Sequence, residues 1–490
     1  MAPRDSKHRF MAPSSHDRHA HEAVSTRTLH VPLSPTGPPL MALLVHLPGR
    51  VFVRGPYSLN PRNAISGDKG EGVAIRLTGT FQLMDGIDVT TEAWRAGGLA
   101  LRMCMNLSAT DPGHAARLLF RRRSSREGRH LHRDSTREDG TDVGHKGDDT
   151  SGMGVGSLLV DIAVPSPLRY ETVCFNLAER GRYRYVASSA ETVVDQTALT
   201  TNDARHVGLV ALNNSLFVAI TRPNWTVDTM SLSSFGHGVV QVDAPSIEST
   251  TAIELKASGP NAVVAVAATQ IGANVVEYAL RPALLQELRD WGCRVTSNGA
   301  GSVYLTSRNL TVRALKSTMA GQGVISYMDN GRRWLQLLEW TLMGLGTCVH
   351  HAVSMLSSGE VYAGSLYCNE TTVYSVGSGH VVVDGGRSLT STTVGTGRLS
   401  YVRTLPDVVA HVGFAPRHGV HQYRAGDDVG PLRWKLLPIP RHEAKPVEMA
   451  VPSSALNMRA LPTLLTLAMD VEALVGIALV VAVPMVLPSD

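Results

Sequence analysis

Short runs in which apolar and polar residues alternate fill most of this chain, and Gly, Pro, Asn and Asp punctuate them. That is the pattern of β-strands separated by turns. Between residues 40 and 113 the runs are LMALLVHL, RVFVRG, GVAIRLTGTFQLM and LALRMCMNL. Between 157 and 327 they are SLLVDIAV, YETVCFNL, RYRYVAS, HVGLVAL, SLFVAIT, GVVQVD, TAIELKA, AVVAVAAT, CRVTS, SVYLTS, LTVRAL and GVISYM. After residue 357 come EVYAGSLYC, TVYSVG, HVVVD, LSYVRTL and VVAHVGF. One stretch departs from alternation. From Arg332 to Ser357 apolar residues fall at Leu335, Leu338, Leu342, Leu345, Val349, Val353 and Leu356, in steps of three or four, which predicts a helix. Asp329-Asn330-Gly331 supplies cap chemistry and Ser357-Ser358-Gly359 a stop. The other side carries Trp334, Leu337, Trp340, Met343, Cys348, Ala352 and Met355, so the helix is expected to be buried all round. A shorter helix is predicted over Arg281–Trp291, with Leu284, Leu285 and Leu288 on one side, Pro282 in its first turn and Gly292 at its end. The expected fold class is mainly β, in sandwich or jelly-roll-like modules, around one long buried central helix with a few short helices.

The pattern also divides the chain. Residues 1–38 are polar, His-rich and end in Pro, which predicts a disordered or draped tail. Residues 39–113 form a β region, and 114–152 interrupt it. A β module with one short helix follows over 153–327, then the central helix and a second β module over 328–414, then an extended C-terminal arm with an apolar end over 415–490. Two pairs of segments echo each other. SLFVAITRPNWTV (215–227) matches SVYLTSRNLTV (302–312), and GHGVVQVDAPSIESTT (236–251) matches SGHVVVDGGRSLTSTT (378–393). Duplicated β modules explain the echo, and so does the shared chemistry of hairpins.

Composition changes this picture in three places. Charged residues are 18%, against a usual quarter, so much of the surface is expected to be neutral or covered by other chains. The net charge of +4 is mild, but its distribution is not. Arg117, Arg121, Arg122, Arg123, Arg126, Arg129, Arg133 and Arg137 crowd into the insert and are followed by Glu138, Asp139, Asp142, Asp148 and Asp149. This is a solvent-exposed segment whose arginines are candidate contacts to nucleic acid or to an acidic partner. Five cysteines, Cys104, Cys174, Cys293, Cys348 and Cys368, stand far apart and odd in number, so all five are expected to be free thiols in a reducing setting. Sequons at Asn106, Asn213, Asn224, Asn309 and Asn369 point the other way.

Catalytic chemistry finds little support. Cys348, His350 and His351 invite a thiol-protease reading, but adjacent residues on a helix diverge by about 100° and do not converge on a substrate. His380 and Asp384 share one side of a predicted strand as a weak acid/base pair. Gly377-Ser378-Gly379 lacks the rest of a nucleotide fingerprint, and the 19 histidines are scattered. No catalytic residue, cofactor site or metal site is expected, and the chain is read as a non-enzyme. Ala473–Leu487 is uncharged over fifteen residues, short of the roughly 20 that span a bilayer, so it is read as an apolar arm and membrane contact is not expected.

In general character, a low-charge β-rich chain with a polar tail, an Arg-rich insert and an apolar arm resembles a structural protein of a virus particle, a capsid or capsid-surface protein of a non-enveloped RNA virus. The resemblance implies a virion location, with host cytoplasm during assembly. It implies partners that are copies of itself and other particle proteins, with nucleic acid at the Arg-rich insert. No motif carries it, so no family residues carry over. The alternative is a secreted or membrane-tethered β-rich glycoprotein, and an enzyme of unknown class comes third.

Overall fold

A computed structural model describes residues 24–34, 37–38, 40–47, 49–55, 72–80, 84, 86–94, 98–105, 158–164, 182–199, 204–273, 292–329, 346–384, 386–402, 405–413, 419–423 and 434–442. The chain is mainly β. Its strands are β1 (Val24–Pro32), β2 (Leu40–His46), β3 (Arg50–Arg54), β4 (Gly72–Thr80), β5 (Ile87–Trp94), β6 (Gly98–Met105), β7 (Leu158–Ala163), β8 (Arg182–Ser188) and β9 (Glu191–Asp195). Then come β10 (Ala204–Leu212), β11 (Ser215–Ala219), β12 (Asn224–Phe235), β13 (Val239–Gly259), β14 (Val263–Ala273), β15 (Cys293–Gly299), β16 (Ser302–Gly321), β17 (Val324–Asp329) and β18 (Thr347–Leu356). The last are β19 (Glu360–Gly377), β20 (His380–Asp384), β21 (Ser388–Gly395), β22 (Arg398–Val402), β23 (Val408–Gly413) and β24 (Val420–Gln422).

The pairing is what defines the fold. From β10 onward every neighbour is parallel and lies one turn of the chain away. Register partners are separated by 24 residues at Val239 and Val263, 22 at Ser302 and Val324, 20 at Glu360 and His380, and 18 at His380 and Arg398. The chain is therefore a coil, each turn stacked on the last, with three faces per turn. The first face stacks β7, β3, β9 and β11, then 239–244, 263–268 and 302–307, then β17, 360–363, β20, β22 and β24. A short second face stacks 224–227, 246–249, 270–273, 309–312, 347–348 and 367–368. The third stacks β6, β2, β8 and β10, then 229–235, 252–259, β15, 314–321, 350–356, 370–377, β21 and β23. At the N-terminal end the direction reverses: β4 lies antiparallel on β7, β1 on β4 and β5 on β6.

Alternation dictates which side chains fill the coil. On the third face one inner column runs through Met230, Ile253, Cys293, Leu315, His351, Thr371 and Leu389, each at most 2% exposed. The second face adds Trp225, Ile247, Ile271 and Leu310. Because stacked strands lie only about 4.8 Å apart, each inner residue touches its equivalents above and below, and the core is one long column.

The corner between third and first faces is made by glycine. Gly259, Gly299, Gly321, Gly377 and Gly395 have φ of +131°, +70°, +153°, +126° and +109°. Two residues after the last four, Gly301, Gly323, Gly379 and Gly397 start the next turn, and Gly238 and Gly359 hold the same place after Gly236 and Ser357. There the backbones approach so closely that a Cβ on Gly323 would overlap the carbonyl oxygen of Gly301, and one on Gly379 that of Gly359. Ser234 and Ser297 fasten the same corner from inside, their hydroxyls donating to the carbonyls of Gly238 at 2.6 Å and Gly301 at 2.5 Å.

Two expectations need correction. The sandwich or jelly-roll modules are replaced by parallel coils, and the echoes are stacked equivalents: Asn224 and Asn309 fall in one column, as do Val239 and His380. The central helix over Arg332–Ser357 fails where it is described, because Thr347–Leu356 is a strand. Parallel partners on both sides supply its backbone hydrogen bonds, and the inner positions alternate as His351, Val353 and Met355. The corner at Val349 and His350 shifts the alternation, and that shift imitated helical spacing; Val349 itself is 40% exposed. The rest of that helix, and the one over Arg281–Trp291, lie outside the described residues. The helix described is one turn, Gln196–Leu199.

The glycine corner makes a differential prediction. Gly323→Ala places a Cβ against backbone and should cost about 1–3 kcal/mol, the range of overpacking. Gly272→Ala meets nothing nearer than Glu248 Cγ at 3.9 Å and should stay within about 0.5 kcal/mol of the parent. Denaturant midpoints of the two variants measure the contrast.

Candidate functional site

The residues singled out for catalysis are dispersed by the coil. Cys348 points inward on the second face and is disulfide-bonded to Cys368, its register partner one turn on, with Cα atoms 4.5 Å apart. The expectation of five free thiols is thus corrected: Cys104 and Cys293 are free, and Cys174 lies outside the described residues. Their separation of 20 residues is one turn of the coil, which brings side chains in the same column together. His350 turns outward, with Nδ1 2.9 Å from Glu370 on the adjacent strand. His351 turns inward, 2% exposed.

That inner histidine belongs to a sealed polar cluster. Ser317 Oγ lies 2.7 Å from the Tyr327 hydroxyl and 3.0 Å from His351 Nε2. Tyr327 reaches across the core from the first face, edge-on to the imidazole. Burial pushes His351 down to about 3 and raises the Tyr327 phenol. The free Cys293 thiol is pushed up to about 12 by burial and by Glu254. A serine, a histidine and a tyrosine in contact have the parts of a proton relay, but no solvent or substrate reaches them. Their chemistry is that of satisfied buried polar groups.

His380 and Asp384 lie on β20, His380 Nε2 2.9 Å from Ser400 Oγ and Asp384 buried. They are four residues apart along an extended strand and make no acid/base pair. The arginines at 117, 121, 122, 123, 126, 129, 133 and 137 lie outside the described residues. Among the described residues no group of three or more His, Cys, Asp or Glu could hold a metal, and no helix is long and apolar enough to cross a membrane.

The outer surfaces carry more information. On the first face an outward column runs through Asp161, Phe52, Val193, Phe217, Gln241, Ala265, Tyr304, Ser326 and Tyr362. The chain's own C-terminal part crosses it. Tyr423 packs edge-on against Tyr362, and Trp434 stacks on Tyr304 at 5.6 Å. The Leu437 backbone makes two 2.8 Å hydrogen bonds with the Gln241 amide. Ile439 covers the cluster of Phe52, Leu159, Val193 and Phe217. His442 sits over Phe52 at 4.8 Å with Nε2 2.8 Å from Asp161, which Arg54 also approaches at 3.6 Å. From Trp434 to His442 the strap crosses six strand spacings, about 29 Å. Eight residue steps at full extension reach about 29 Å, so the strap has no slack. Pro438 and Pro440 hold it extended.

The third face has a different outer surface. Glu254 and Arg294 pair across adjacent strands at 3.4 Å. Toward the C-terminal end the columns become hydroxyl-rich and apolar: Thr318, Ser354, Tyr374, Thr392 and Val412 in one, Leu356, Val376 and Val394 in the next. Tyr374 is 43% and Val376 45% exposed. The signal for this patch was present in the strand pattern, but which side of each strand faces outward depends on the corners.

No family model and no curated protein sequence matches the chain. Solved structures that resemble the chain come from bacteria. A proposed adhesin of Parabacteroides distasonis is 11% identical, with a TM-score of 0.33 over 82% of this chain and 97% of its own. A proposed lipid-binding protein of the same organism is 10% identical, with a TM-score of 0.34 over 82% and 98%. A proposed adhesin of Bacteroides fragilis is 12% identical, with a TM-score of 0.22 over 82% and 96%. At such values the likeness transfers no function. The resemblance to a capsid protein does not stand: the chain is a parallel coil where jelly-roll modules were expected. The virion and host-cytoplasm location falls with it.

Two predictions test this account. His351 is neutral in the fold and has a folded value far below the usual 6.5. As pH falls from about 6.5 toward about 3, the unfolded chain gains a proton that the fold excludes, so stability drops by up to about 1.4 kcal/mol per pH unit from this residue. His351→Gln should flatten that part of the pH dependence of the unfolding midpoint, and an unchanged slope would contradict it. Gln241→Leu should release the strap, exposing the stretch around Leu437 to proteases at least tenfold faster while the coil stays folded.

Proposed function

We propose that this chain is a secreted, non-catalytic β-coil glycoprotein that presents the outer surface of its third face to a macromolecular partner. The observation that carries the reading is the difference between the two broad faces. The first is occupied along its outer column by the chain's own strap, whereas the third exposes Tyr374 and Val376 beside the hydroxyls of Ser354, Thr372 and Thr392. A tyrosine flanked by small hydroxyl side chains on a rigid sheet gives contact area at low entropic cost. The stacked strands hold the pattern fixed, so binding orders few groups.

Two further observations favour an oxidising, extracellular setting. The Cys348–Cys368 disulfide lies within the coil, and such bonds persist mainly outside the cytosol. The sequon asparagines Asn213, Asn224 and Asn309 are exposed, and Asn224 and Asn309 occupy one outer column at the edge of the second face. The Thr311 hydroxyl donates to the Asn309 side-chain oxygen at 3.1 Å, so the two sequon residues stand together on the surface. The non-catalytic reading is supported by the inner Ser317, Tyr327 and His351, which are sealed from solvent.

Protein taken from its natural source should lose mass on glycosidase treatment, and alkylation without reduction should label neither Cys348 nor Cys368. A full complement of free thiols together with an unchanged mass would defeat the secreted reading. Removing the disulfide by Cys348→Ala with Cys368→Ala should cost about 3 kcal/mol for a loop of this size. Tyr374→Ala with Val376→Ser should weaken adhesion to the partner surface at least tenfold at unchanged stability.

A further inference from the structure

At the N-terminal end of the third face, three unlike groups lie in a row on the outer side. β5, β6 and β2 are adjacent there, and their register sets Asp88 against Cys104 and Cys104 against His46. Register partners share one side of a sheet with strands about 4.8 Å apart, so the thiol stands between a carboxylate and an imidazole. Arg102, two residues before Cys104 on the same strand, lies on the same side and meets Glu92 at 3.8 Å. The opposite, inner side of these strands is apolar, with Val45, Leu101 and Met103 each 1% exposed. Of the two free cysteines among the described residues, Cys293 is buried and Cys104 is half-buried. Two donors beside Cys104 are unsatisfied. His46 is only 7% exposed, and its Nδ1 has no hydrogen-bond partner among the described residues. The Arg102 Nε–H is buried without a partner as well. Burial and the Arg102 charge push His46 down to about 4, so the imidazole is neutral, and with its proton on Nδ1 it is a donor. A buried donor left unmade costs about 1–3 kcal/mol, and more when it is charged.

We propose that Cys104 is a reactive thiol that takes up low-molecular-mass disulfides, its thiolate served by the Nδ1–H of His46 and the Nε–H of Arg102. A thiolate is an ionised acceptor, which both orphaned donors favour over the neutral thiol, and the guanidinium adds its charge. Asp88 opposes that charge, but it is exposed and water screens it, while Glu92 offsets only part of Arg102 from a half-exposed position. The thiolate attacks one sulfur of the small disulfide. A new S–S bond forms at Cys104 as the disulfide's own S–S bond breaks, and the departing thiolate takes up a proton equal to the one Cys104 released. Cys104 is thereby oxidised, and one half of the small molecule is reduced to a thiol. A half-buried sulfur lying between strands admits a small disulfide more readily than one carried on a folded chain. The event is a single modification of the chain, separate from the surface around Tyr374.

Incubating the folded full-length protein with glutathione disulfide tests this. Peptide mapping should find the glutathionyl group on Cys104, gained at least tenfold faster than by a synthetic peptide of residues 98–106 at the same pH. His46→Leu and Arg102→Met keep apolar bulk at each position and should each slow the gain at least fivefold, with the ultraviolet absorbance of the thiolate appearing at higher pH. Arg294→Met, which removes another third-face arginine paired with a glutamate, should leave the rate unchanged. If His46→Leu or Arg102→Met fails to fold, Arg102→Lys keeps the charge, removes the Nε–H and gives the second reading, with a drop of at least threefold. Reaction of the parent at the peptide rate would overturn the proposal, and so would equal rates in the parent and the folded variants. A bridge between Cys104 and Cys174 in the purified protein would overturn it too. So would a dimer joined through Cys104, which would make a second copy the partner.

Discussion

The closeness of the backbones at the glycine corner is the constraint on which the coil depends. Parallel strands one turn apart must keep a spacing of about 4.8 Å on every face. At the third-to-first corner the chain reverses its heading within a few residues, and a Cβ on Gly321 or Gly323 would lie inside the carbonyl of the turn below. Glycine permits both the left-handed backbone of Gly299 or Gly321 and the contact two residues later at Gly301 or Gly323. Once that corner is fixed, register follows, and the inner columns of Val, Leu and Ile follow from register. The serine hydroxyls at Ser234 and Ser297 add hydrogen bonds to the corner carbonyls of Gly238 and Gly301.

Strand positions were legible in the sequence because alternation survives any sheet topology. The coil was not, because alternation is the same for parallel and antiparallel neighbours. The signal that separates them is the recurrence of Gly-x-Gly, at 236–238, 299–301, 321–323, 377–379 and 395–397. Tested singly against a nucleotide-binding fingerprint, one such tripeptide means little; counted along the chain, it marks the turns. The cysteines failed for the same reason. A spacing of 20 between Cys348 and Cys368 fits no metal or hairpin framework, but it is one period of a coil whose period has to be known first. The helical reading failed over 347–356 because a corner inside that strand moves the inner residues from even to odd positions. For part of the candidate surface, no sequence rule reports which columns the chain later covers with its own strap.

The polar groups of the interior sort by what surrounds them. His351 is held neutral by burial in a core where Ser317 and Tyr327 meet it, whereas His350, its neighbour in sequence, meets Glu370 at the surface. Two consecutive histidines thus do opposite work because a strand sends them to opposite sides. The same separation puts the aromatic Phe52 and Phe217 outside the coil, where the strap makes them a second, smaller core.

The strap has a mechanical consequence. A stack of identical turns held only by nearest neighbours behaves like a one-dimensional polymer and unravels from its tips. Here residue 442 is tied to Asp161, so the last-described stretch of chain grips strands made near the start of synthesis. The array becomes a closed circuit. Peeling away an early turn must also unclasp the strap, and releasing the strap uncovers several turns at once. Local openings that would be independent in a plain stack are joined into one event, and a long, thin molecule acquires the all-or-none unfolding of a compact domain.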